Sequence, residues 1–161
     1  MSEVVVIILI SLVIVLATLS IYPIYICIKM IVHKRKIKRA LNVIYSQVDF
    51  KYSLLKEYLE INKDEIESEK YDEISEQLIH FNFNSKINVK KLKTLNETYS
   101  RYLTSFDDSL LNRTCRESEE KIGRIRGYYN ALVGIHNNYN KSTKINSVIS
   151  KALLVGEETK Y

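Results

Sequence analysis

The chain has 161 residues, of which 46% are apolar and 27% charged, with a formal net charge of +5. Six of its 24 basic residues crowd between Lys29 and Arg39, and the 18 that follow Arg39 are matched by 18 acids. That balance excludes the basic stripe needed to track a nucleic-acid backbone, and the two cysteines, Cys27 and Cys115, make no disulfide framework and suit a reducing compartment.

Taken in chain order, the first feature is a 25-residue uncharged, almost wholly apolar run, Val4 to Ile28. As a helix it would cover about 37 Å at about 1.5 Å per residue. A hydrocarbon core is about 30 Å thick, so the run can cross a bilayer with some tilt. A cleaved signal peptide fits poorly. The start, Met1-Ser2-Glu3, has no basic residue, the apolar stretch is too long, and its end offers no small-residue cleavage site. Residues 4–32 therefore read as a transmembrane anchor, with the lipid bilayer as first partner. Its basic collar includes Lys29, Lys34, Arg35, Lys36, Lys38 and Arg39, whereas no Lys or Arg precedes the run. By the positive-inside rule the N-terminus is expected outside and the domain in the cytoplasm, at a cell membrane crossed once. Tyr22 and Tyr25 fall where an inner aromatic belt would lie, and Pro23 is expected to bend the last turns.

Residues 33–161 read as one domain, large enough for a single core. Ile37, Leu41, Ile44, Val48, Leu55 and Tyr58 recur at spacings of three and four, with Lys51 as the one polar interruption. Nothing breaks the chain between Lys29 and Arg39, so the span is expected to run straight into this first helix. Asn62-Lys63-Asp64 predicts a turn and a new N-cap, with Asp64 and Glu65 in a first turn. Ile66, Tyr71, Ile74, Leu78 and Phe81 form a second stripe. Asn82-Phe83-Asn84-Ser85 is the next break. Leu92, Leu95, Tyr99, Tyr102 and Phe106 form a third stripe.

The fourth stripe is the most regular: Leu111, Cys115, Ser118, Ile122, Ile125, Tyr129, Leu132, His136 and Tyr139. Ser105-Phe106-Asp107-Asp108 resembles a capping box and predicts a helix over 107–140. Gly123, Gly127 and Gly134 lie off the stripe, as if to allow close helix contact or a bend. Ile145 to Val155 predicts a short last helix. The heptad-like period and short breaks give an all-α fold: a transmembrane helix followed by an antiparallel, mainly four-helix bundle with coiled-coil packing.

Chemistry is not signalled. His33, His80 and His136 lack metal-ligand spacing. The acidic run from Asp64 to Glu76 lacks the Glu-x-x-His pairs of di-metal bundles and reads as a solvated face. Phosphate-loop, zinc-protease and nucleophile-elbow patterns are missing. No enzymatic activity, cofactor or metal is therefore expected.

The segment Glu120-Lys121-Ile122-Gly123-Arg124-Ile125-Arg126-Gly127-Tyr128-Tyr129-Asn130, with Val133 and then Tyr139-Asn140, resembles the signature of the LemA family. Asp49 to Leu55 resembles that family's first helix more weakly, and Lys144-Ile145-Asn146 lacks its Phe-Pro. The resemblance implies a bacterial, membrane-anchored helical bundle without a defined reaction, and an association with membrane proteases that points to envelope quality control. The expected function is a membrane-tethered scaffold or adaptor. A protein partner at the inner leaflet is expected, and a homo-oligomer is compatible with this. The candidate partner site is Arg126, Tyr129, Asn130, Tyr139 and Asn140, with Arg126 pairing to Glu119 or Glu120 if its role is architectural. The alternative is a small-molecule sensor or enzyme whose ligand sits in the bundle near Ser118 and His136.

Overall fold

The computed structural model describes residues 3–79, 89–153 and 158–161, and among these the regular elements are helices. They are α1 (Glu3–Ile61), α2 (Ser68–Ile79), α3 (Val89–Thr104), α4 (Ser109–Lys141) and α5 (Lys144–Ala152). Phe81 and the break at 82–85 lie outside the described residues.

The anchor and the first stripe form one helix, since no strong breaker lies between them; α1 has 59 residues and remains helical through Pro23. Every residue from Glu3 to Tyr22 is exposed, and the helix is long and apolar enough to cross a membrane. The hydroxyls in this stretch turn back on their own helix. Ser11 donates to the Ile7 carbonyl (2.8 Å), Thr18 to those of Ile14 and Val15 (3.0 and 2.8 Å), and Ser20 to that of Leu16 (2.9 Å). These hydroxyls are thus satisfied within their own helix, as a lipid environment would require of them.

Two compact units divide the chain: Met1–Ile37 with Leu132–Glu158, and Lys38–Ala131 with Thr159–Tyr161. In the first, Ile26 and Met30 are fully buried against Tyr139 and Ile149. Packing thus begins inside the apolar run, leaving Val4 to Tyr22, roughly 28 Å of helix, continuously exposed.

In the second unit, α1 buries Ala40, Ile44, Val48, Lys51, Leu55 and Leu59. Leu41 and Tyr58, expected on the seam, are half-buried. A straight helix turns every 3.6 residues, so a strict seven-residue stripe drifts by about 20° per heptad. The same drift in α4 buries Val133 and Asn140 where Leu132 and Tyr139 were expected. Tyr58 stacks against Phe106 with centroids 4.6 Å apart. The Tyr102 hydroxyl of α3 donates to Glu73 of α2 at 3.0 Å.

Two helix starts fall later in the chain than expected. Asn62 closes α1, its backbone and side-chain N–H groups both reaching the Tyr58 carbonyl at 3.0 and 2.9 Å. Its own carbonyl accepts from Glu65 and Ile66, so α2 starts at Ser68 instead of Asp64. Asp108 caps α4, with Oδ1 accepting from the backbone of Leu110 and Leu111, both at 2.9 Å. Thr143 caps α5 by accepting from the Asn146 amide at 3.0 Å. A methyl group added at Gly123, Gly127 or Gly134 would meet nothing within 4 Å, so these glycines do not serve close helix contact.

Candidate functional site

Lys51 is the centre of the second unit's polar chemistry. It stands on the buried seam of α1 with no exposed surface. A bare ammonium there would be very costly unless paired and hydrogen-bonded. Its three N–H donors meet Asn96 Oδ1 at 2.8 Å, Ser100 Oγ at 2.9 Å, and the Glu119 carboxylate. Asn96 Nδ2 donates to the same carboxylate at 3.0 Å. Lys51 therefore joins α1 to α3 and α4 through a charge-neutral network in which every ammonium hydrogen is used.

Burial tends to push the Glu119 carboxyl up. The hydrogen bonds from Lys51, Ser100 and Asn96, with the Lys51 charge, outweigh it and hold the group below the usual carboxylate value. Cys115 lies buried beside this network. Burial pushes its thiol up, against the opposing pull of Lys51. A thiol held protonated is a packing group and a poor nucleophile.

The sequence-predicted residues separate into two settings. Tyr129 is fully buried in α4, and its hydroxyl donates to the Thr159 carbonyl at 2.7 Å. Asn130 next to it grips the Tyr161 backbone from both sides: Oδ1 accepts from the amide at 2.8 Å and Nδ2 donates to the carbonyl at 3.4 Å. Both residues thus bind the chain's own segment 159–161. Burial and the nearby Glu119 charge push the Tyr161 phenol up to about 12. Arg126 is exposed on the same helix. The acids expected to pair with it are engaged elsewhere: Glu119 with Lys51, and Glu120 with Arg116 at 3.4 Å.

Tyr139 and Asn140 belong to the other unit. The Tyr139 ring stands edge-on to His33 (centroids 5.7 Å apart), with the Lys29 ammonium 5.5 Å from its centre. His33 also meets His136 edge-on at 6.3 Å. Burial first, then the charges of His136, Lys29 and Lys36, lowers the His33 pKa. Asn140 is buried and lies 3.1 Å from His136 Nε2. Asn146 of α5 donates from Nδ2 to the Tyr139 carbonyl and to Ser142 Oγ, both at 2.8 Å, tying α5 to the end of α4.

In the sequence Lys51 is marked only as the one polar interruption of an apolar stripe, and a cation at a core position calls for a buried acid that spacing does not identify. The grip on 159–161 left no such mark. Removing only the hydroxyl, Tyr129→Phe is expected to cost about 1 kcal/mol and to speed amide exchange at Thr159–Tyr161. Thermal unfolding in micelles together with hydrogen exchange checks both.

No family model, no curated protein and no solved structure matches this chain.

Proposed function

We propose that the chain is a membrane-tethered helical scaffold or adaptor of the LemA kind. It is anchored by α1 with the N-terminus outside, and its helices are held at the cytoplasmic face. The observation that carries this reading is α1 itself, a single helix of 59 residues that begins as a bare apolar span and ends with a buried seam. The six-to-zero basic asymmetry across the span supports the orientation.

An antiparallel four-helix arrangement of α1 to α4 accounts for the contact order. Gln47 meets Ser118, and the cleft lined by Leu54, Tyr58 and Ile61 is closed by Asp108, Leu111 and Thr114, so position rises along α1 as it falls along α4. Glu73 and Lys70 of α2 meet Tyr102 and Ser105 in the same inverse order. The partner-facing residues are Arg126 and its exposed neighbour Tyr128, because Tyr129 and Asn130 are taken up by 159–161. A link to envelope quality control rests on the family resemblance. Ser118 and His136 are each hydrogen-bonded within their own unit, and the sensor or enzyme alternative rests on the sequence alone.

Two measurements test the reading. With Leu110→Cys, 71% exposed in the native chain, a membrane-impermeant maleimide should label permeabilised cells only. Labelling of intact cells overturns the cytoplasmic orientation. A photocrosslinker at position 128 should give a discrete adduct in membranes that Arg126→Ala removes without lowering the melting point. A persistent adduct, or none, removes Arg126 from the partner surface.

A further inference from the structure

α5 is amphipathic in the inverted sense. Its two buried residues, Asn146 and Ser150, are polar, and beside them only Ile149, half-buried on Ile26 and Met30, adds an apolar side chain to the packed side. Its exposed face carries Ile145 (50% exposed) and Val148 (66%), with Leu153 (39%) just past its end. In water a nine-residue helix with this pattern gains by burying the other side, since each apolar side chain left exposed forfeits its transfer free energy. Asn146 opposes that rotation, because its amide is committed to the Tyr139 carbonyl and Ser142. The outward apolar face is therefore built in, held there by the packing of Asn146.

Location and charge bear on what covers this face. Ile145 and Val148 line one apolar surface groove together with Pro23, a residue of the apolar run. The α5 face is thus continuous with the lipid-facing surface of the span. Pro23 lies about 30 Å of helix from Val4, so it falls at the boundary of the hydrocarbon layer. Lys144 and Lys151 are exposed at the two ends of α5, where long cationic side chains can rise to anionic headgroups while the apolar residues sink below them.

We infer that α5 is an interfacial helix that lies in the lipid leaflet at the collar end of the span, inserting Ile145 and Val148 among the acyl chains. It gives the protein a second membrane contact that adds to α1. This rests on α1 spanning the bilayer, and the test separates the two.

The chain contains no tryptophan, so a single introduced indole reports alone. Val148→Trp, Leu12→Trp and Leu110→Trp place it on α5, in the span and on the exposed surface of the second unit. Each full-length variant is reconstituted into vesicles of equal parts phosphatidylcholine and phosphatidylglycerol, with and without brominated acyl chains. Bromine should quench Leu12→Trp and Val148→Trp several-fold more strongly than Leu110→Trp, and aqueous iodide should show the reverse order. Iodide quenching of Val148→Trp equal to that of Leu110→Trp, with Leu12→Trp still quenched by bromine, overturns the interfacial helix and leaves the anchor standing. Protection of Val148→Trp from both quenchers overturns it in favour of a protein contact. Failure of bromine to quench Leu12→Trp removes the anchor, and the inference with it.

Discussion

Glu119→Ala should destabilise the protein by about 3–5 kcal/mol, because it strands the fully buried Lys51 ammonium without its counter-charge. Asn96 and Ser100 still accept from Lys51, which places the expected cost toward the lower end. Lys51→Met should cost far less. It fills a similar volume with apolar atoms and leaves Glu119, whose side chain is 40% exposed, free to turn to solvent. Thermal unfolding of the full chain in detergent micelles decides the matter. Equal losses for the two substitutions would mean that the cluster does not hold a buried charge. The pH dependence follows from the same network. Glu119 is held below its ordinary value of 4.5, so its contribution is complete above that value and lost as pH falls through the folded-state pKa. The wild type should therefore lose stability on acidification more steeply than Glu119→Gln.

Ile122→Ala should cost about 2–5 kcal/mol through lost transfer energy and the cavity left behind. Ile122 is 1% exposed, with Cys115 and Tyr129, one heptad away on either side, equally enclosed. Leu110→Ala, at a position 71% exposed on the same helix, should change stability by less than about 0.5 kcal/mol. If the two variants melt together, the stripe does not mark the core.

Much of this fold could be read from spacing alone. Apolar periodicity locates a buried face wherever a helix is long, which is why Ile44, Val48, Ile74, Tyr99 and Ile122 are buried where the stripes place them. What spacing cannot convey is the partner. Lys51 and Glu119 are 68 positions apart, and only the packing of three helices brings them together. The start of α2 moved because the Asn62 carbonyl took up the amides that Asp64 was expected to arrange. Of the candidate site, Tyr129 and Asn130 could be picked out as distinctive, but segment 159–161 has no periodicity to announce where it docks. The order Ile145, Asn146, Val148, Ile149, Ser150 leaves the direction of α5 open, because Ile149 could equally pack inward or outward; the hydrogen bonds of Asn146 and the packing of Ile149 on Ile26 and Met30 fix it.

The back-bonded hydroxyls of the span carry one more implication. Neighbouring membrane helices recognise each other through small residues at four-residue spacing that let backbones approach, or through hydrogen bonds across the gap. Between Val4 and Tyr25 no two small residues stand four apart, and Ser11, Thr18 and Ser20 already donate to carbonyls of their own helix. Such a span offers a lateral neighbour little that lipid does not offer equally well. In the bilayer where we propose that it lies, this helix should therefore contribute little to any self-association of the chain.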